Sequence, residues 1–267
     1  LTLYRQTQFI VGLMDGTQFG GVVDPRMSRM LAIDSANTTY RGLAIDEVTT
    51  TNPFGALTQQ QPQRPRNLFG YVASGGVGLP GRYLFADKAK IPVMTYAQLQ
   101  FIKAEAALHD GQPAVALAAY TNGISSHIDF VNARNLDDGQ SPTQISAADK
   151  AAFLADTNVV PAAASLTLSH VMSQKVIAQF GWGHNEMWMD MRRYHYTDLD
   201  PVLGASGVQV FRGFAPPTTL YIDNASKVVQ RIRPRYNSEY VWNRPGLEAI
   251  GGLDADYHTD VMWMIQP

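Results

Sequence analysis

Residues 166–196 read LTLSHVMSQKVIAQFGWGHNEMWMDMRRYHY, and this stretch decides the fold. Leu168, Val171, Met172, Val176, Ile177 and Phe180 recur at helical spacing, which predicts a first helix. Gly181 and Gly183 end it, because glycine takes the left-handed backbone of a helix end at no steric cost. A second helix is expected from about Asn185 to Tyr194, carrying Met187, Trp188 and Met191. Glu186 opens it and Arg192 and Arg193 close it, the charge order a helix dipole favours. Two helices joined by so short a corner pack on each other and need further helices over their outer faces.

Working outward, residues 95–132 carry the second helical signal. Thr95 is a good cap for a helix with two apolar rows: Tyr96, Leu99, Ile102 and Ala106, then Ala97, Phe101, Ala104 and Leu108. A helix apolar on two sides is expected to be sandwiched between neighbours. Gly111 closes it, and Pro113 opens the next helix at its tolerated first position. Helix, Gly/Pro turn and alanine-rich helix together form a tetratricopeptide-like pair, with 166–196 as a divergent second unit. Between the pairs, 133–165 reads as an insertion in which AADKAAFLAD makes a short helix.

Two segments break this helical pattern. Residues 34–90 are rich in Pro, Gly, Gln and Thr and read as long surface loops punctuated by Tyr40, Phe54, Phe69, Tyr71 and Tyr83. Residues 197–267 are again loop-rich, with short strands expected at 208–211 and 219–222. Asp24-Pro25 fits a helix start, and Asp24 and Arg26 read as a cap and a structural ion pair.

Composition narrows the functional classes. In 267 residues, the charged fraction of 16% lies below the usual quarter and the net charge is −2, so nucleic-acid binding has little electrostatic support. No cysteine is present, which removes disulfides, thiol catalysis and cysteine metal sites from this chain. No apolar run of about 18 residues exists to form a membrane-spanning helix. Ser74-Gly75-Gly76-Val77-Gly78 lacks the lysine and the strand–helix setting of a phosphate loop. Asp137-Asp138-Gly139 lacks the alternating ligands and closing glutamate of a calcium loop, and His184 and Glu186 are too close for HExxH zinc geometry.

Taken in order, several segments resemble the SusD/RagB-like outer-membrane nutrient-binding lipoproteins of Bacteroidetes. Asp24-Pro25-Arg26 and Tyr40-Arg41-Gly42 resemble the family's early motifs. Pro92-Val93-Met94-Thr95-Tyr96-Ala97 through Ala104-Glu105-Ala106-Ala107 resembles its "P-x-M-T-Y-A-E" helix, with Gln98 in place of the usual glutamate. Tyr120 with Gly123-Ile124 fits the partner helix. Gln174-Lys175, Phe180-Gly181, Glu186, Trp188, Asp190 and Arg192-Arg193 resemble its "Q-K…F…E-x-W-x-D-x-R-R" corner. Arg233-Pro234-Arg235-Tyr236, Glu239 and Asn243 resemble its closing motif, with Asn237 replacing a proline. The resemblance implies a mainly α fold of four tetratricopeptide-like helix pairs, two of them at 95–132 and 166–196, with long irregular loops and a few short strands. It also implies a lid on a SusC-like TonB-dependent transporter that delivers oligosaccharide or peptide, held at the cell surface by an N-terminal lipid anchor. That anchor, a signal peptide and earlier helices are not in this sequence, so 1–267 is expected to be a single SusD-like domain forming the C-terminal portion of a longer chain. No catalysis, cofactor or metal is expected.

Candidate ligand contacts are exposed aromatic and hydrogen-bonding side chains on the loops: Tyr40, Arg41, Phe54, Phe69, Tyr71 and Trp242. Structural roles are expected for Asp24, Arg26, Glu105, Glu186, Trp188, Asp190 and Arg193, since Glu186, Asp190 and Arg193 recur at helical spacing and can pair. Two alternatives stand beside this reading. A glycan-active enzyme would need two carboxylates across a cleft, and a generic helical-repeat scaffold would bind protein partners.

Overall fold

The structure is a computed structural model and describes residues 5–34, 39–45, 83–84, 88, 90–134, 136, 143–233 and 236–265. Nine α-helices and no sheet occur among these residues. They are α1 (Gln8–Met14), α2 (Met27–Met30), α3 (Tyr96–His109), α4 (Pro113–Arg134), α5 (Ala147–Ala155), α6 (Leu168–Gln179), α7 (His184–Arg193), α8 (Tyr236–Trp242) and α9 (Arg244–Ala249). The mainly α architecture is therefore the one expected.

The helices start and stop for local reasons. Thr95 Oγ1 accepts a hydrogen bond from the Gln98 N–H (3.1 Å), capping α3. Gly111, at φ +66°, makes the turn into α4, whose first residue is Pro113. Ser146 caps α5 by accepting from the Asp149 N–H (3.0 Å). α6 begins with a reciprocal cap in which the Thr167 N–H donates to His170 Nδ1 (3.3 Å). α6 turns into α7 at Gly181 (φ +83°), where a Cβ would stand 1.9 Å from Leu84, so both conformation and space require glycine.

α3 and α4 lie side by side, and α3, α4, α1 and α7 all pack on α6. The α3–α4 contact is close because Gly123 faces Phe101, where a Cβ would meet the ring at 2.8 Å. Phe101 and Tyr120 then meet edge to face, 6.2 Å between centroids. Every residue of α6 is buried, including Ser169, Ser173, Gln174 and Lys175. Buried polar groups need partners, and α6 has them on several sides. Arg212 Nε donates to Ser169 Oγ (2.7 Å), Arg26 reaches Gln174, and Lys175 meets two carboxylates.

Two expectations are corrected here. α3 is not sandwiched by described elements: Ala97, Phe101 and Ala104 are buried, whereas Tyr96, Leu99 and Ile102 face outward. The segments 208–211 and 219–222 form no strands. Gln209 makes a single antiparallel bridge with Leu199, and Ile222–Asn224 is a 3-10 turn. Asp198 and Asp200 satisfy the backbone of Val210 and Val208 locally, and Pro216-Pro217, lacking N–H donors, interrupts any ladder. The irregular tail also holds two short helices, α8 and α9.

Candidate functional site

Two charged clusters form around α6. The first joins α2, α4 and α6. Arg26 is completely buried and donates to Asp24 through Nε (2.9 Å) and Nη2 (2.5 Å), to Gln174 Oε1 and to His127 Nδ1 (2.9 Å). A guanidinium only donates, so His127 Nδ1 accepts and its proton sits on Nε2, which faces Tyr83 OH at 3.3 Å. Burial, then the adjacent Arg26 charge, hold the His127 pKa well below the ordinary histidine value.

The second cluster joins α3, α6 and α7 in a ring of alternating charge. Arg193 Nη2 pairs with Glu105 Oε1 (2.6 Å) and Asp190 Oδ1 (2.7 Å), and Lys175 Nζ pairs with Glu105 Oε2 (3.3 Å) and Asp190 Oδ2 (2.7 Å). Tyr194 OH donates to Glu105 Oε1 (2.7 Å). Burial alone would raise the Glu105 pKa, but Lys175 and Arg193 outweigh it and lower the value.

This ring lines a cleft of about 710 Å³ between α3, α6 and α7, within the range of ligand sites. Ile102, Ala106 and Met189 supply aliphatic wall, and Asn185, Glu186 and His109 line it as exposed residues. Gln179, the last residue of α6, is 3% exposed and lines the cleft, yet neither its Nε2 nor its Oε1 has a hydrogen-bond partner among the described residues. A buried, unpaired amide of this kind costs about 1–3 kcal/mol. A second concavity of about 620 Å³ is lined by residues between 216 and 228, with Tyr221 exposed.

The structure separates the residues singled out from the sequence. Asp24 and Arg26 form the first cluster, and Glu105, Asp190 and Arg193 form the second. Glu186 lines the cleft but makes no ion pair among the described residues, because Asp190 and Glu105 occupy Arg193. Trp188 packs within the corner, with Arg192 over its ring (3.8 Å) and Nε1 donating to Tyr196 OH (2.7 Å). Tyr40 is half-buried against the core, where burial raises its pKa, partly offset by Arg29. The Arg41 carbonyl accepts from Gln6 (2.9 Å), and Trp242 is 84% exposed on α8. None of these three lines the charged cleft. Phe54, Phe69 and Tyr71 lie outside the described residues. Sequence reasoning missed Gln179 and His109 as cleft residues.

No group of three or more His, Cys, Asp or Glu residues able to hold a metal occurs among the described residues. No helix among them is long and apolar enough to cross a membrane.

Fold and cleft together define a helical scaffold built around a buried central helix. Residues 4–212 match the SusD-like family model described as "Starch-binding associating with outer membrane", and the chain belongs to this family. The family's proteins are binding proteins, generally without enzymatic activity, and its description ties glycan binding to the outer membrane. No curated protein and no solved structure matches the chain.

Proposed function

We propose that this chain is a non-enzymatic, lipid-anchored cell-surface protein of a Bacteroidetes bacterium. It captures glycan or peptide and delivers it to a SusC-like TonB-dependent outer-membrane transporter. The family match over residues 4–212 is the observation that carries this reading. Of the three carboxylates that line the cleft, Glu105, Asp190 and Glu186, two are tied up in ion pairs, which supports binding over catalysis. Glu105 and Asp190 are each held by both Lys175 and Arg193, so neither stands ready as a free acid or nucleophile. The helical corner holds the loops and the cleft in place, and ligand contacts are expected from exposed side chains such as Trp242. Affinity purification from native outer-membrane extracts tests the reading. A large β-barrel protein with a plug domain is expected to co-purify, and a strictly monomeric protein would overturn it.

A further inference from the structure

We propose that the cleft between α3, α6 and α7 binds a peptide, with Gln179 pairing to a main-chain amide and Glu186 to a basic group. The proposal rests on the nutrient-capture reading and names the ligand class of one site. Three observations carry it, on Gln179, on the aliphatic lining and on Glu186. Gln179 is 3% exposed, lines the cleft, and leaves both its donor and its acceptor without a partner among the described residues. A peptide group offers one N–H and one C=O, the complement of a side-chain carboxamide. Among the described residues the lining contains no Trp, Tyr or Phe to stack on a sugar ring, whereas Ile102, Ala106 and Met189 suit an apolar side chain.

Charge selects further. Glu105 and Asp190 are balanced by Lys175 and Arg193 in the ring. Glu186 is exposed, lines the cleft and has no ion pair among the described residues, which leaves one uncompensated carboxylate. A ligand carrying an α-amino group, Lys or Arg beside an apolar residue complements this arrangement.

The test uses the full chain and a tryptic digest of casein, whose peptides carry free amino termini and mostly end in Lys or Arg. Peptides retained after size exclusion are read by mass spectrometry, with maltohexaose as competitor. Retention of peptides with an apolar residue next to a basic group, undisturbed by maltohexaose, is expected. Gln179→Met should weaken retention about tenfold, the loss of one well-placed hydrogen-bond pair to a buried group, while raising the melting temperature of the empty protein. Glu186→Gln should weaken it several-fold, and more at low salt than at high salt. Absence of retained peptide, displacement by maltohexaose, or full retention by Gln179→Met would overturn the proposal. If peptide retention fails while the β-barrel transporter still co-purifies, the capture-and-delivery reading stands and only the peptide assignment falls.

Discussion

Gln174 and Lys175 are neighbours on α6, yet they serve two clusters of opposite character. On the Gln174 side, one cation and one anion are sealed among neutral partners, and Arg26 has no accessible surface. On the Lys175 side, two cations and two anions close a ring, and Arg193 keeps 37% of its side chain in contact with solvent. The sealed cluster can only hold helices together, because nothing reaches it. The ring lines a cleft, so the same kind of ion pairing there also presents a surface to a ligand. Balanced charge in the second case lets the cleft tolerate water, whereas the first depends on excluding it.

Substitutions separate the two most sharply at their cations. Arg26→Met strands the Asp24 carboxylate in the interior and leaves Gln174 Oε1 and His127 Nδ1 without their donor. Removing one partner of a buried pair costs about 3–5 kcal/mol, and chemical denaturation should show a loss of that size, insensitive to salt.

Acid should attack the scaffold next. His127 lies well below its ordinary pKa, and His170, through burial first and then Arg212, is lowered to about 4. Both are neutral when folded, so the unfolded chain binds more protons below about pH 6.5. Stability is full above that pH and falls as the pH drops, for His170 down to about 4, by on the order of 3 kcal/mol for that residue. His195 has the opposite sign, its pKa being raised by Asp198, but it is exposed and contributes little. Melting temperatures between pH 7 and 4 check this. A flat profile would mean that the two imidazoles take up protons in the folded protein at the same pH as in the unfolded chain.

Lys175→Met should cost less than Arg26→Met, about 2 kcal/mol, because Arg193 still contacts both Glu105 and Asp190. Its cost should shrink in 1 M salt, since the remaining acid excess faces a solvent-accessible cleft. Equal losses for the two variants, with equal salt response, would erase the distinction between sealed and open clusters.

Much of this scaffold was legible from local chemistry. Thr95, Gly111, Pro113 and Gly181 mark helix ends through backbone conformation and hydrogen bonding, which depend on a few consecutive residues. Asp190 and Arg193 are one turn apart, so their pairing also follows from helical spacing. Glu105 reaches Lys175 and Arg193 of the same ring across 70 and 88 residues of sequence, and no local pattern contains those contacts. The outward row Tyr96, Leu99 and Ile102 misled for the same reason. Apolar periodicity shows that a face can be buried, while the arrangement of other elements decides whether it is. Gln179 is the converse case, a polar residue whose burial without a partner among the described residues only the assembled helices reveal.

The complete burial of α6 has a mechanical consequence. Successive residues on a helix point about 100° apart, and Gln174 and Lys175 are each latched in their own direction. A rod latched along two non-parallel directions can neither spin nor slide without releasing both latches. The Lys175–Asp190 pair also spans the Gly181 bend, so the latch that fixes α6 braces α7 against it, and α6 is the fixed axle of the scaffold.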